Sequence, residues 1–510
     1  MLFSSYQFVF LFLPVTLAGY VLFDRFGGKA RSLWLALASL AFYAASNWQF
    51  VPLLLASVAF NFLAGSLLLR AKLTERPRFA ALSAGVAINL LALGYFKYAV
   101  FLAANFNAAF STHLVVDVLL PVGISFYTFT QIAFLVDAYR GQVARYGLPH
   151  YALFVTYFPH LIAGPILHHK DMIPQFEDER ARFPSQHLLT AGLMIFAIGL
   201  FKKTCMADGI QPFVALAFGP IPPSFDQAWI GALAYTFQIY FDFSGYSDMA
   251  VGLSLMFGIF LPVNFNSPYQ ARNIIDFWRR WHMTMTRFFT DYIYTPLAAK
   301  LMRRSVSRSH SAAVRVLLVL CLPVVVTFLL VGLWHGAGWG FIIWGAVQGL
   351  AMAINLIWRE LATNTRLPRV PSPVGWLLTM VTFISSLAFF QAPNLGTAMT
   401  ILRAMFGLGP AGAAMGKFYS TTNLFSVVTI IPAVAWVVVL LIVALAFPRN
   451  SQQLLQRYEV ALPTITVAET RTKFALLWAP TMRWAPIIGL AAAIALVFAG
   501  GPSPFLYYKF

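Results

Sequence analysis

The sequence predicts an all-α polytopic membrane protein with about 12 transmembrane helices and some re-entrant or interfacial helices. Two features of the composition lead to this fold class: 60% of the 510 residues are hydrophobic, and only 10% are charged. Soluble proteins typically contain about 25% charged residues. The apolar residues also fall into runs of the length that crosses a bilayer. We therefore expect a single integral membrane domain over residues 1–510.

Apolar runs and short loops alternate regularly in the N-terminal third of the chain. The first run, residues 8–23, has no basic residue before it and several after it, so we expect a retained helix and not a cleaved signal peptide. Loops rich in Lys and Arg then alternate with loops that contain neither. The positive-inside rule places the basic loops in the cytoplasm and the N-terminus on the far side. The basic loops are residues 24–31, 70–78 and 140–145, and the others are residues 46–49 and 105–117.

Two interruptions break this pattern in the middle of the chain. The apolar run 151–166 contains two prolines, a glycine and His160. We expect a broken or re-entrant segment there, because non-helical backbone at membrane depth needs protein or water around it. His160 is expected to be mainly structural. Lys202 and Lys203 interrupt the next run, residues 188–218, and leave its topology open.

Clear apolar spans resume after residue 227 and are separated by basic tracts. The spans cover residues 228–261, 316–334, 341–358, 374–390, 424–447 and 485–499. The basic tracts lie on the predicted cytoplasmic side, which also places the C-terminus outside. The spans within residues 401–510 contain few polar groups, so we expect them to form supporting helices.

Two carboxylates, Asp242 and Asp248, lie inside the run 228–261. A charged group at membrane depth costs about 2.5–3.5 kcal/mol on insertion scales, so both should face protein or water. Their spacing puts them well over a quarter-turn apart on a helix, which argues against a paired-carboxylate site. Two interpretations are open. The carboxylates form polar contacts between helices together with Ser244 and Ser247, or they line a substrate tunnel.

Residues 264–296 interrupt the hydropathy completely and contain a stretch of tryptophans, arginines and phenylalanines at residues 278–289. On a helix its aromatic residues gather on one side, and Arg279, Arg280 and Arg287 gather on another, with His282 at the border. One interpretation is an interfacial amphipathic helix that anchors the protein at the membrane surface. The other is that the arginines bind a phosphate-bearing cytosolic donor such as a coenzyme A thioester.

Residues 332–340 place His335 between two apolar runs, next to Trp334 and among several glycines. Glycines allow backbone or ligand to approach the imidazole closely. A histidine that titrates near neutrality is the usual general base or acid. The alternative is a membrane histidine held by hydrogen-bonded packing. Trp334 is a further candidate for a tunnel wall or a structural contact.

The remaining features exclude several functions. The net charge of +18 comes from short basic tracts between apolar spans, where anionic lipid headgroups explain it, and we expect no nucleic-acid binding. The two cysteines, Cys205 and Cys321, cannot form a disulfide framework. No CxxC or HExxH spacing indicates a metal, so we expect neither a metal nor a bound cofactor.

Five motifs occur in the order seen in membrane-bound O-acyltransferases. Within residues 1–400 they lie at residues 120–129, 158–166, 240–248, 278–282 and 333–336, and the last two contain Trp-Arg-Arg-Trp-His and Leu-Trp-His-Gly. As an ordered set they make the chain similar to that family. The resemblance is strongest to its bacterial alginate O-acetyltransferase branch.

This resemblance implies acyl transfer to a hydroxyl group, with the catalytic histidine at His335 and the second motif histidine at His282. It also implies a central funnel, through which a cytoplasmic acyl donor serves an acceptor on the far side of a bacterial inner membrane. The donor would be acetyl-CoA or a similar thioester. The acetyl group would pass to an exported, alginate-like polysaccharide or to an extracytoplasmic acetyltransferase partner. The sequence lacks a GxSxG elbow, which favours direct transfer over an acyl-serine intermediate.

Two alternatives compete with this function. Within the same class, the acceptor could be peptidoglycan or cellulose, or the reaction could be D-alanylation of teichoic acid. A protein of another class, a secondary transporter, would also suit intramembrane carboxylates and broken helices. It would predict inverted repeats, and the sequence shows no convincing internal repeat.

Overall fold

The fold is helical throughout the part of the chain that the structure describes. In this computed structural model the described residues are 1–70, 74–177, 185–364, 367–408, 424–446, 450–455, 461–462, 484–499 and 505–506. No β-strand occurs among them. The predicted all-helical fold class is therefore confirmed.

Several segments are long and apolar enough to cross a membrane. Among the described residues the six long ones are Gly28–Leu68, Glu75–Phe110, Gln186–Phe218, Ala312–His335, Trp339–Thr363 and Ser372–Gln391. Shorter apolar helices are Phe8–Asp24, Leu395–Met405, Ile430–Leu445 and Trp484–Phe498. The multi-pass architecture is confirmed, and the count of about 12 crossings stays a prediction.

The helix bounds show where the long segments are interrupted. The α-helices are Leu13–Asp24, Gly28–Asn47, Val51–Leu68, Glu75–Leu93, Ala99–Phe110, Ile124–Tyr139, Leu148–Thr156, Phe158–Leu161, His169–Glu177, Gln186–Phe201, Asp208–Ile210, Ala215–Phe218, Phe225–Met256, Ile274–Arg280, Met283–Phe289, Thr295–Ser307, Ala312–Arg315, Leu322–His335, Trp339–Asn364, Ser372–Gln391, Leu395–Met405, Leu424–Ala446, Ser451–Leu454 and Trp484–Phe498. Wider π-helical turns are Phe8–Phe12, Gly94–Tyr98, Lys202–Ala207, Thr290–Tyr294 and Val316–Cys321. Tighter 3₁₀ turns are Trp48–Phe50, Gln211–Val214 and Pro268–Gln270.

The segment 151–166 is broken, as the sequence predicts. One helix ends at Thr156, the four-residue helix Phe158–Leu161 follows, and the next helix begins only at His169. His160 is buried, and its Nε2 lies 2.8 Å from the carbonyl oxygen of Phe154. A contact with the chain's own backbone agrees with a structural role for His160.

The helix Phe225–Met256, here called the central helix, is buried along almost its whole length. It packs closely against the helix Gln186–Phe201. A Cβ atom added at Gly252 would lie 2.6 Å from the carbonyl oxygen of Gly192. Only small residues at such positions let two membrane helices approach this closely.

The two carboxylates of the central helix form ion pairs with the lysines that interrupt the preceding run. Lys203 Nζ lies 2.8 Å from Asp242 Oδ1, and Lys202 Nζ lies 2.6 Å from Asp248 Oδ2. The lysines project from the π-helical turn Lys202–Ala207. Removing one partner of a buried ion pair leaves an uncompensated charge, so these pairs tie the two helices together.

Residues near the C-terminus bind the same carboxylates. The backbone N–H of Leu506 donates to Asp242 Oδ2 at 2.9 Å, and the Ser451 hydroxyl donates to Asp248 Oδ2 at 2.7 Å. Ser244 is also buried, but within the described residues its hydroxyl makes no hydrogen bond. The contacts favour the structural interpretation of Asp242 and Asp248 over a tunnel wall, with lysines and C-terminal residues among their partners. The other expected serine, Ser247, accepts a hydrogen bond from Asn264 Nδ2.

Candidate active site

His335 is the last residue of the helix Leu322–His335, here called the His335 helix. The helix ends there because Gly336 adopts an extended conformation, with φ −165° and ψ 154°. The imidazole is buried among aromatic rings. The centroids of Trp334, Trp344 and Phe390 lie 4.8, 5.2 and 5.3 Å from the centroid of the His335 ring.

Glycines around His335 allow the following helix to pack against the His335 helix. A Cβ at Gly332 would lie 2.3 Å from the carbonyl oxygen of Phe341, and a Cβ at Gly336 would lie 2.1 Å from the Phe341 ring. Side chains at these two positions would push the helices apart. The glycines of this stretch therefore serve close packing around the catalytic candidate.

His282 lies at a break between the short helices Ile274–Arg280 and Met283–Phe289. Its backbone is left-handed, with φ 44° and ψ 54°, which a non-glycine residue adopts only at some cost. The prediction of one continuous amphipathic helix is therefore wrong, because a right-handed helix cannot pass through this conformation. His282 is also fully buried and does not lie at a polar border.

Asn264 holds the His282 ring and the turn after it. Its Oδ1 lies 3.0 Å from His282 Nδ1 and accepts hydrogen bonds from Thr284 N at 3.3 Å and Thr284 Oγ1 at 3.0 Å. A backbone N–H can only donate, so this atom must be the amide oxygen. His282 Nδ1 must then carry a proton, and in the neutral ring Nε2 carries the lone pair.

The Asn264 contacts extend to the broken segment and to the central helix. Ile166 N donates to Thr284 Oγ1 at 3.0 Å, and Asn264 Nδ2 donates to Ser247 Oγ at 3.2 Å. Three of the predicted motifs therefore meet around His282.

The rings of both motif histidines lie close to the ring of one tryptophan, Trp334. The Trp334 ring centroid is 6.0 Å from that of His282 and 4.8 Å from that of His335. The indole N–H of Trp334 is buried and makes no hydrogen bond within the described residues. A second indole, of Trp344, has the same property. The structure thus joins His282, Trp334 and His335 in one buried site, and the central funnel that the resemblance implies stays a prediction.

The three arginines do not form one unpaired cluster. Arg280 Nε lies 2.8 Å from Asp276 Oδ1, and Arg287 Nη1 lies 3.0 Å from Asp171 Oδ2. Arg279 is exposed. The helix break separates Arg279 and Arg280 from Arg287, and Arg280 and Arg287 each have a carboxylate partner.

Sequence reasoning missed two polar side chains that touch the site. Asn264 lies close after the apolar run 228–261, and no motif or spacing in the sequence indicated a role for it. Lys97 is a lone cation within the apolar stretch 94–104, which was a usable signal, and its Nζ donates to the backbone carbonyl of Trp334. The contacts of Asn264 and Lys97 with the site form only in the folded chain.

Comparison with known proteins defines the class of this site. Residues 80–391 match MBOAT, the membrane-bound O-acyltransferase family, and this region includes both motif histidines. The chain is therefore an integral-membrane acyltransferase.

Relatives whose names give different acceptors are similar in sequence to this chain. A peptidoglycan O-acetyltransferase of Helicobacter pylori is 35% identical over 550 residues, which cover 100% of this chain and 98% of the relative. A probable alginate O-acetylase of Pseudomonas aeruginosa is 40% identical over 415 residues, which cover 80% of this chain and 75% of the relative. A teichoic acid D-alanyltransferase of Streptococcus thermophilus is 26% identical over 249 residues, covering 46% and 57%. The chain belongs to the membrane-bound O-acyltransferase family.

The comparisons confirm the predicted resemblance to alginate O-acetylases. They also extend the similarity beyond residue 400, the end of the region to which the resemblance was assigned, because the Helicobacter pylori alignment covers the whole chain. That alignment does not separate alginate from peptidoglycan as the acceptor.

Proposed function

We propose that this protein transfers acetyl groups from a cytoplasmic thioester, acetyl-CoA or a similar donor, to hydroxyls of an exported polysaccharide. The acceptor is alginate-like, and the transfer is direct or passes through an extracytoplasmic partner protein. The observation that carries the proposal is the placement of the His282 and His335 rings next to the Trp334 ring in one buried site. Such a site excludes water, which would otherwise hydrolyse the thioester.

The chemistry needs a base, a donor for the oxyanion and a leaving-group proton. His335 takes the proton of the acceptor hydroxyl while the oxygen attacks the thioester carbonyl. The C–O bond forms, the C–S bond breaks, and the proton passes from His335 to the departing thiolate. His282, oriented by Asn264, is the second catalytic group and orients the hydroxyl or relays the proton.

The buried indole N–H of Trp334 is a suitable donor to the oxyanion of the tetrahedral intermediate. A buried N–H without a partner is costly in a folded protein and calls for an explanation. Donation to a transient oxyanion gives one, because a preorganised donor stabilises charge only where it develops.

Arg279, Arg280 and Arg287 are proposed to receive the phosphates of the donor. Exposed Arg279 supports this role directly. Arg280 and Arg287 contribute if the phosphate groups displace Asp276 and Asp171, since a phosphate is a stronger acceptor for a guanidinium than a single carboxylate oxygen.

We also propose a location in the bacterial cytoplasmic membrane with about 12 crossings and both termini outside. The bacterial relatives and the alternating basic loops support it. Single cysteines placed in the loops 24–31 and 105–117 of a variant lacking Cys205 and Cys321 test this topology. An impermeant thiol reagent added to intact cells should label only the second loop, and labelling of the first loop would overturn the orientation.

Peptidoglycan is the second candidate acceptor, because the Helicobacter pylori relative aligns over the whole chain. Acetylation of cellulose and D-alanylation of teichoic acid are weaker candidates, and the Streptococcus thermophilus relative covers less than half of the chain. A transporter loses its main support, since Asp242 and Asp248 both have lysine partners.

The acceptor is tested with purified protein in proteoliposomes that receive labelled acetyl-CoA outside and one acceptor inside. We expect acetyl esters on mannuronate oligosaccharides and fewer on peptidoglycan fragments. The His113→Ala variant serves as a control because His113 is exposed and outside the site. Esters on peptidoglycan fragments alone would assign the second acceptor, and no consumption of thioester with any acceptor or extracytoplasmic partner would overturn the proposal.

A further inference from the structure

The helix Glu75–Phe110 contains one π-helical turn, Gly94–Tyr98, here called the Lys97 turn. A π-helical turn widens a helix locally and changes the direction of its side chains, and such turns are frequent at functional sites. This one carries Lys97 in the middle of an apolar stretch. A charged side chain at this depth is costly and is kept only where it has a partner.

The partners of the Lys97 turn are backbone carbonyls at the end of the His335 helix. Lys97 Nζ donates to the carbonyl oxygen of Trp334 and lies 3.4 Å from that of His335. The hydroxyl of Tyr98 donates to the carbonyl oxygen of Leu333 at 2.6 Å. Two neighbouring side chains thus cover three consecutive carbonyls.

These three carbonyls belong to the last turn of a helix, where no intrahelical donor remains for them. The C-terminal end of a helix also carries a partial negative charge, which a cation stabilises. Ser125 completes the environment of the cation, with its Oγ 3.4 Å from Lys97 Nζ. Lys97 and Tyr98 therefore supply hydrogen-bond donors to the carbonyls of this helix end, and Lys97 also supplies a positive charge.

The helix Glu75–Phe110 also contacts the segment that follows His335. The indole N–H of Trp339 donates to Asn105 Oδ1 at 2.8 Å, and the rings of Phe101 and Trp339 lie 5.9 Å apart. The backbone on both sides of His335 is therefore fixed to one helix.

We propose that Lys97 and Tyr98 are positioning residues for acyl transfer, which hold the end of the His335 helix so that the imidazole meets the acceptor hydroxyl in the reactive geometry. This inference rests on the proposed role of His335 as the base. A displacement of about 1 Å at a catalytic group can cost about 10²-fold in rate. Small changes at the Lys97 turn should therefore affect kcat more than binding.

The test uses Lys97→Met, which keeps the approximate length of the side chain and removes the ammonium donors, and Tyr98→Phe, which removes one hydroxyl. Tyr95→Phe is the matched control, because Tyr95 lies in the same turn but is exposed. Each variant is purified as the full chain, its folded fraction is measured, and thioester consumption is assayed with saturating acceptor. If Lys97→Met does not fold, the nearly isosteric Tyr98→Phe carries the test.

We expect kcat per folded protein to fall about 10- to 100-fold for Lys97→Met and about 3- to 10-fold for Tyr98→Phe, with the donor KM within about twofold. Tyr95→Phe should match the parent. In a His335→Ala background Lys97→Met should have no further effect on the residual rate, because it acts through His335.

Three results would contradict parts of this reasoning, and each points to a different failure. A normal kcat with only a lower unfolding temperature in both variants would overturn the inference and leave Lys97 and Tyr98 as structural caps. A fully active His335→Ala variant would instead overturn the proposed role of His335. An equal, independent loss in both backgrounds would also contradict positioning.

Discussion

Replacing Asn264 by leucine tests how His282 is held. The substitution keeps the approximate volume of the side chain but removes the oxygen that accepts from His282 Nδ1, Thr284 N and Thr284 Oγ1. The His282 and backbone donors are buried and lose their acceptor. Each unsatisfied buried donor costs about 1–3 kcal/mol, so the two together should lower the free energy of unfolding by about 2–6 kcal/mol.

The same substitution should also reduce the rate. Without Asn264 the His282 ring is free to change its tautomer and its orientation, and we expect kcat per folded protein to fall about 10²-fold. The assay is thioester consumption in proteoliposomes, corrected for the folded fraction by size-exclusion chromatography in detergent.

Thr284→Val provides the matched control. It removes a hydroxyl that donates to Asn264 and accepts from Ile166 N, and it leaves the His282 contact in place. We expect a lower unfolding temperature with kcat within about threefold of the parent, because the two hydrogen bonds that are lost are structural. A folded Asn264→Leu variant with the kcat of Thr284→Val would refute the assigned role of Asn264.

Three further variants test the other parts of the site. Trp334→Phe keeps an aromatic ring but removes the indole N–H, so kcat should fall about 10- to 10³-fold with little change in donor KM; unchanged kcat would exclude the indole as the oxyanion donor. Neutralising Arg279, Arg280 and Arg287 together with glutamine should raise the KM for the donor and weaken its dependence on ionic strength, whereas parent values for both would reduce the arginines to a surface anchor. Asp242→Asn, which leaves a buried lysine with one carboxylate fewer, should lower the unfolding temperature and leave kcat and both KM values of the folded protein unchanged; a higher acceptor KM would instead support a tunnel wall.

Local features of the sequence predicted much of the fold and the main catalytic candidates. Long apolar runs indicated the spans, since every membrane-spanning backbone must satisfy its own hydrogen bonds. The prolines and glycine at residues 151–166 correctly indicated a broken segment. His335 was recognisable because a titratable side chain among glycines is unusual in an apolar run.

Other features could not be predicted because they depend on contacts between distant residues. Periodicity assumes a regular helix and cannot reveal the left-handed conformation of His282. Lys202 and Lys203 were seen as interruptions, but their pairing with Asp248 and Asp242 depends on the register of two packed helices. Lys97 contacts a carbonyl that lies 237 positions further along the chain.

The proposed role of His335 as the base for acyl transfer is measured with the variant His335→Ala. The variant is compared with His113→Ala at equal folded protein, with labelled acetyl-CoA and acceptor in the same proteoliposomes. His335→Ala is expected to lower the rate of ester formation about 10²- to 10⁴-fold, whereas His113→Ala should keep the parent rate. Ester formation by correctly folded His335→Ala at the parent rate would show that His335 is not the base.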